Sequence, residues 1–189
     1  MNKIVSTMML FSNLFVLSIC IPAQTGTTDS VRNKIEIEFQ YKRISGIASN
    51  QYAIWVEDEK GQYVKTIYVT RFTATKGWKT RPEALPEWVI KSGIKSKDKA
   101  VVDVISGATP KTGVVKYYWD FTDEKNHEVP DGQYTIIIEG SIRWESKVTY
   151  KAIVQKNSID STINIEHKNS GGTDREREMI TGVKIKYIK

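Results

Sequence analysis

The sequence predicts an all-β fold, an Ig-like antiparallel β-sandwich with one irregular loop and short-helix excursion. Apolar and polar residues alternate in several short segments, which is typical of strands that bury one face. Turn-forming residues separate about seven to nine such segments, a pattern that favours a sandwich over a parallel α/β fold. The excursion is predicted where this regularity fails, between Arg71 and Lys99.

The first strand is predicted over 34–42, where KIEIEFQYK alternates strictly. One face carries charged or amide side chains. The other face carries Ile35, Ile37, Phe39 and Tyr41. Because successive side chains of a strand point to opposite faces, this pattern predicts a half-buried strand.

A hairpin is predicted next, with strands over 52–58 and 63–70 and a turn at 59–61. The excursion that follows is rich in Gly, Pro and Trp. Proline suits the first turn of a helix, so a short helix is predicted over 86–91.

The second half of the chain returns to segments rich in Ile, Val, Tyr and Thr, which favour strands. Strands are predicted over 100–105, 114–121, 133–143, 147–155 and 180–189. The lysines of the last segment, ITGVKIKYIK, suit an edge strand. A loop is predicted over 168–178, with two glycines at its centre.

The N-terminal residues have the pattern of an export signal. Lys3 precedes an uncharged, mainly apolar run over 4–21, and Ala23 offers a small residue for cleavage. Residues 1–23 are therefore predicted to be a signal peptide, and 24–189 a single β-sandwich domain in the periplasm or outside the cell. No stretch of the mature chain approaches the about 20 apolar residues of a membrane span, so no integral span is predicted.

The single cysteine, Cys20, leaves one alternative open. The order Leu17, Ser18, Ile19, Cys20 resembles a lipoprotein signal, although Ile19 stands where that motif has a small residue. The alternative is an envelope lipoprotein anchored through Cys20. Cleavage after Ala23 instead removes the thiol, which excludes disulfides, thiolate metal ligands and cysteine nucleophiles from the mature chain.

Charge and composition exclude several classes of function. The formal net charge is +6 and the isoelectric point is near 9.2, but the lysines are spread along the chain and alternate with Glu, without a basic stripe or a compact cluster of arginines. Nucleic acid is therefore not a predicted partner. His127 and His167 lie far apart without other ligands at suitable spacing, so no metal site is predicted, and no catalytic triad is recognisable.

One heptapeptide carries the functional prediction. Residues 103–109 read DVISGAT, here called the DxxSGAT segment, which resembles the acceptor motif of proteins modified by the bacterial periplasmic FMN transferase. The resemblance implies that Thr109 forms a phosphoester with FMN and that Asp103, Ser106, Gly107 and Ala108 form the recognition frame. No catalytic residue is predicted.

The residue types suit such an acceptor. A threonine hydroxyl is a poor nucleophile that the transferase must activate, so the acceptor only has to present it accessibly. Gly107 and Ala108 provide that access because they add little bulk. The alternative is that Ser106 to Gly113 form an ordinary loop between strands, built of turn residues.

Aromatic residues that flank the segment in sequence could stack on a flavin ring. They are Trp78, Trp88, Tyr117, Tyr118 and Trp119. Trp119 lies in an alternating strand and is predicted to belong to the core. For Trp78 and Trp88, a place in the core and stacking on a flavin both stay open. Arg81 and Lys111 could place positive charge near a reduced flavin, or could be solvated loop charges.

A wider resemblance extends from about Tyr52 to Glu139, roughly half of the predicted mature chain, and is carried by residues 53–67, 85–88, 103–109, 117–120 and 129–140. In these residues the chain is similar to the domain-of-unknown-function family 2271 of predicted periplasmic proteins. The resemblance implies that the DxxSGAT segment carries a flavin, and the VPDGQY turn resembles Ig-like modules. The chain departs from the family pattern at SIRWESK, residues 141–147.

These observations predict an extracytoplasmic protein with covalent FMN that takes part in electron transfer, a redox carrier rather than a turnover enzyme. Its predicted partners are the FMN transferase and a membrane or periplasmic redox partner. The alternative is a non-catalytic Ig-like module for envelope interaction, adhesion or structure.

Overall fold

The structure of the chain, a computed structural model, describes residues 33–46, 49–142, 146–157 and 163–188. The predicted signal peptide and Cys20 lie outside the described residues. These described residues belong to one compact unit. In the part of the chain that is described, helices are all too short or too polar to cross a membrane.

Two β-sheets dominate the described chain, as predicted. The strands are β1 Lys34–Tyr41, β2 Gln51–Asp58, β3 Tyr63–Thr70, β4 Ser106–Gly107, β5 Gly113–Trp119, β6 Gln133–Ser141, β7 Lys147–Gln155, β8 Ile165–Ser170 and β9 Ile180–Ile188. One sheet has three strands in the order β5-β1-β9, and the other has six in the order β4-β3-β2-β6-β7-β8. Apolar side chains from both sheets meet in one core, so the two-layer sandwich is confirmed.

The apolar face of β1 is buried as predicted, although Glu36 on the other face is also buried. Ile35, Ile37 and Phe39 are completely buried in the inter-sheet core. On the outer face, Glu36 pairs with Lys186 at 3.0 Å. β1 pairs in antiparallel register with β5 on one side and β9 on the other, which leaves β9 at a sheet edge as its lysines predicted.

The predicted hairpin forms between β2 and β3. Its turn is closed by the Asp58 carboxylate, which accepts hydrogen bonds from the backbone N–H of Lys60 and Gln62 at 2.9 and 2.8 Å. β2 is buried on both faces, because Ile54 points into the inter-sheet core and Trp55 points to the opposite side of the sheet. A continuous apolar run is the sequence pattern of such a doubly covered strand.

The excursion forms short helices that cover the outer face of the six-stranded sheet. They are α1 Trp78–Thr80, α2 Pro86–Lys91 and α3 Lys99–Ile105, with an irregular turn at Thr73–Gly77 and a 3₁₀ turn at Ile94–Ser96. The predicted helix over 86–91 is confirmed, with proline in its first turn. Apolar residues of these elements and of β2, β3 and β6 form a second apolar cluster.

The strand predicted over 100–105 is wrong, because these residues form α3. Short apolar runs fit a strand and a helix equally well, so tertiary contacts decide between them. Here a helix places Val102 in the second apolar cluster, while Val104 on the opposite side stays 85% exposed.

The sheets are mainly antiparallel, and the pair of β4 with β3 is parallel. One further expectation requires correction. The loop predicted over 168–178 contains the end of β8 and a fourth helix, α4 Asp174–Arg177. Thr173 and Glu176 form a reciprocal capping box at the start of α4, a signal that the sequence contained.

Candidate functional site

The DxxSGAT segment runs from a helix into a sheet edge. Asp103 is exposed in the last turns of α3, and Ser106 and Gly107 then form β4 against Val69 and Thr70 of β3. Thr109 follows directly and is partly exposed. The segment is therefore not simply a loop between two strands, since its first half is helical and its centre is tied to the six-stranded sheet.

Tyr68 holds the centre of this segment. Its phenol donates a hydrogen bond of 2.8 Å to the carbonyl oxygen of Ala108. Its ring lies so close to Gly107 that a Cβ atom there would stand 2.6 Å from Tyr68 Cε2. Backbone φ at Gly107 is outside the left-handed region, so the tyrosine ring is the reason that only glycine fits.

A cluster of tyrosines lies behind Tyr68. The ring centroid of Tyr68 is 5.0 Å from that of Tyr52 and 4.8 Å from that of Tyr117. The ring centroids of Tyr41 and Tyr52 are 5.3 Å apart. The phenols of Tyr52 and Tyr117 share a short hydrogen bond. Burial raises the pKa of Tyr41 to about 12 and also raises the pKa values of Tyr52 and Tyr117. All of them are therefore neutral at physiological pH.

The hydroxyl groups of the segment have different environments. Ser106 Oγ is buried and has no hydrogen-bond partner among the described residues. Thr109 Oγ1 also makes no hydrogen bond to the part of the chain that the structure describes, but its residue is partly exposed. The hydroxyl at position 109 is therefore the more accessible of the two.

The aromatic candidates separate into core and surface residues. Trp119 is buried as predicted, and its indole N–H donates to the Thr122 carbonyl oxygen at 3.0 Å. Trp88 is completely buried, and its indole N–H donates to Thr66 Oγ1 at 2.9 Å. Neither ring can receive a ligand. Trp78 is partly exposed, and Tyr118 is half-exposed.

The two cationic candidates also differ, since one is held in the fold and the other lies on the surface. Arg81 pairs with Glu83 at 3.2 Å and donates to the Ser49 carbonyl oxygen at 2.6 Å, so its guanidinium is engaged in the fold. Lys111 is exposed in the loop that follows the DxxSGAT segment.

Two hollows lie on opposite faces of α3. A helix advances about 100° per residue, so Val101 and Val104 share one side while Lys99, Val102 and Asp103 share the other. The first side borders a mainly apolar groove of about 550 Å³ that also contains Tyr118. The second side borders a pocket of about 540 Å³, here called the Trp78 pocket.

Sequence reasoning missed two features of this region. Tyr68 was assigned only to an alternating strand, because nothing local indicates which residue its ring will contact. The second is a local concentration of lysines, since five of them line the Trp78 pocket. The dense run KSGIKSKDK, residues 91–99, was the available signal.

Within the described ranges, no group of three His, Cys, Asp or Glu residues is placed to hold a metal ion. The model of the DUF2271 family, described as predicted periplasmic protein, matches residues 32–172. No curated protein and no solved structure matches the chain.

Proposed function

The chain belongs to the DUF2271 family of predicted periplasmic proteins, and from this premise we propose that it is an extracytoplasmic carrier of FMN bound covalently to Thr109. Export through the signal peptide at 1–23 is part of the proposal. So is a role in electron transfer with a membrane or periplasmic redox partner.

One observation supports this function more than any other. The threonine that ends the DxxSGAT segment is partly exposed, and its hydroxyl makes no hydrogen bond to the described residues. A buried or hydrogen-bonded hydroxyl would be a poor acceptor, because the fold would have to open before a transferase could bind it. The segment is also anchored immediately before Thr109, at the Ala108 carbonyl.

The modification balances as a phosphoryl transfer. Free FMN has no leaving group on its phosphate, so the donor must be a flavin dinucleotide. The Oγ1–P bond to Thr109 forms while the pyrophosphate bond of the donor breaks, AMP leaves, and the hydroxyl proton passes to a base of the transferase or to water. No electron changes hands in this step.

Residues of this chain present the acceptor and do not catalyse the transfer. Gly107 allows Tyr68 to pack against the segment, and the Tyr68 phenol fixes the Ala108 carbonyl. The exposed Asp103 carboxylate is available to the transferase or its metal. Once bound, FMN supplies reversible electron uptake and release, while the protein determines its position and electrostatic surroundings. A covalent tether prevents loss of the cofactor by dilution.

The test is the intact mass of the protein produced with and without an FMN transferase. We expect an added mass of one FMN less one water, located on the peptide that contains Thr109. Thr109→Ala should abolish it. Thr112→Ala is the matched control, because Thr112 lies in the same loop and is exposed, and this variant should be modified like the wild type.

An unmodified wild-type mass in the presence of an active transferase would overturn the proposal. The same applies to modification that persists in Thr109→Ala. The first result would favour a non-catalytic envelope module, whereas the second would place the flavin on another residue.

A further inference from the structure

The Trp78 pocket is built from parts of the excursion that are distant in sequence. Lys76 comes from the irregular turn, Lys79 from α1, Lys95 from the 3₁₀ turn and Lys99 from α3. Their apolar floor includes residues of the second apolar cluster, among them Ile94. Its volume of about 540 Å³ lies in the range of small-molecule sites, which is about 300–1,000 Å³.

The pocket carries a large excess of positive charge. Five lysines line it, and Asp103 is its single acidic residue. Lys97 pairs with Glu124 at 2.6 Å. The other four lysines have no ion pair with any carboxylate in the described part of the chain. Like charges that converge without partners repel one another, so an anion in the pocket would be favoured over a cation or a neutral ligand.

Trp78 provides an aromatic surface among these charges. The ammonium groups of Lys79 and Lys95 lie over its ring, 5.2 and 5.5 Å from the centroid. Such cation–π contacts are weak at exposed sites, so the ammonium groups can turn to an anion while the indole face receives a planar ring. Trp78 is also partly exposed, in contrast to the buried Trp55, Trp88 and Trp119.

We propose that the Trp78 pocket binds a planar aromatic ring that carries a phosphate, as in flavin mononucleotide. The indole face and apolar floor suit the ring, and the lysines suit the phosphate or a reduced, anionic ring. The apolar groove on the other side of α3 lacks a comparable set of lysines, with Lys65 as the lysine among its lining residues.

The pocket is joined to the DxxSGAT segment through one residue. Asp103 lies at the pocket and also begins the heptapeptide that ends with Thr109. The identification of the ligand as a flavin rests on the proposed function, whereas the preference for a ring-bearing anion rests on the pocket itself.

The experiment uses the Thr109→Ala protein, which cannot be modified at that position, and measures binding of free FMN by fluorescence anisotropy. Riboflavin, which lacks the phosphate, and inorganic phosphate, which lacks the ring, are the matched probes. We expect FMN to bind about tenfold more tightly than riboflavin, as one charge-assisted contact provides, and to lose this advantage at high salt. Phosphate alone should compete only weakly.

Variants of the pocket locate the binding. Trp78→Leu should abolish FMN binding. Lys79→Ala with Lys95→Ala changes only exposed side chains, so it should fold normally and bind FMN and riboflavin equally. Tyr118→Leu, in the apolar groove, is the control and should bind FMN like the parent.

Equal affinity for FMN and riboflavin would overturn the inference, and so would undiminished binding to the double lysine variant. Loss of binding in Tyr118→Leu would place the ligand in the other groove and also overturn it. This titration is independent of covalent attachment. If Thr109 is modified but free FMN does not bind the Trp78 pocket, only the inference about the pocket is overturned. If free FMN binds the pocket but the wild type is not modified, only the proposed function is overturned.

In the modified protein, the mobility of the tethered flavin ring tests whether the ring lies in the pocket. With the tethered flavin ring in the pocket, Trp78→Leu should lower the fluorescence anisotropy of the flavin and leave the mass added by FMN unchanged.

Discussion

The two faces of the six-stranded sheet are covered in different ways. The inner face packs against the three-stranded sheet through side chains that are almost all apolar or aromatic, with Ile54, Ile136 and Ile138 completely buried. The outer face is covered by short helices whose contacts depend on buried polar groups. Trp88 of α2 is completely buried there, and its indole N–H donates to Thr66 Oγ1.

Two more polar anchors fix the outer layer. The Glu139 carboxylate accepts hydrogen bonds from the backbone N–H of Trp88 and Glu87, at 2.9 and 3.3 Å, at the start of α2. Gln51 Oε1 accepts from the hydroxyl groups of Thr70 and Thr73 where the excursion leaves β3. A regular strand layer is specified by its alternation. An irregular layer instead needs a few buried polar contacts that have only one geometry.

The largest expected effect is at Glu139, because it is fully buried and also lies 3.4 Å from Lys147. Glu139→Ala removes the acceptor of two backbone N–H groups and should lower the free energy of unfolding by about 3 kcal/mol. Urea unfolding measures this loss. Glu139→Gln keeps one acceptor oxygen and should lose less. If both variants were as stable as the wild type, the outer layer would not depend on its polar anchors.

Glu139 also predicts a pH dependence. Burial raises the pKa of Glu139, and the hydrogen bonds from Trp88 and the charge of Lys147 only partly oppose this. The pKa of Glu139 is therefore higher in the folded than in the unfolded chain. The stabilisation that results is fully present below the pKa of the unfolded chain and is lost as the pH rises through the pKa of the folded chain. Relative to Glu139→Gln, the wild type should lose about 1 kcal/mol per pH unit over that window.

This pH effect is measured as the difference between the unfolding free energies of the wild type and Glu139→Gln from pH 4 upward. A difference that stayed constant, or grew in favour of the wild type, would contradict the raised pKa.

At the boundary of the two layers, Gly107→Ala should destabilise the protein by about 1–3 kcal/mol, since the added methyl group overlaps the Tyr68 ring. A Tyr68→Leu background provides the control, because the smaller side chain removes the overlap. The cost of Gly107→Ala should be much smaller there. Equal costs in both backgrounds would show that the ring is not the cause.

The core between the two sheets offers a matched pair of tyrosines from the three-stranded sheet, with a smaller effect. Tyr117→Phe leaves the Tyr52 hydroxyl without its partner and should cost about 1–2 kcal/mol. Tyr41 Oη is buried and has no partner among the described residues, so Tyr41→Phe should be neutral or slightly stabilising. Thermal unfolding compares the two, and a larger loss for Tyr41→Phe would contradict the hydrogen-bond assignment.

Much of the inner layer could be predicted from the sequence. The buried face of β1, the β2–β3 hairpin and the edge position of β9 all follow from local alternation and turn residues. The helix over 99–105 could not be predicted in this way, because Val101, Val102 and Val104 fit either periodicity and only the packing of Val102 decides between them.

The features of the candidate site can also be separated into those that local sequence predicts and those that depend on tertiary contacts. The sequence by itself determined the DxxSGAT segment, the aromatic excursion and the lysine run, because these are properties of neighbouring residues. Only the tertiary structure decided that Tyr68 packs on Gly107 and that lysines from four short elements converge on Trp78. The physical reason is that alternation reports which face of a strand is buried, whereas contacts between residues tens of positions apart depend on how irregular elements pack.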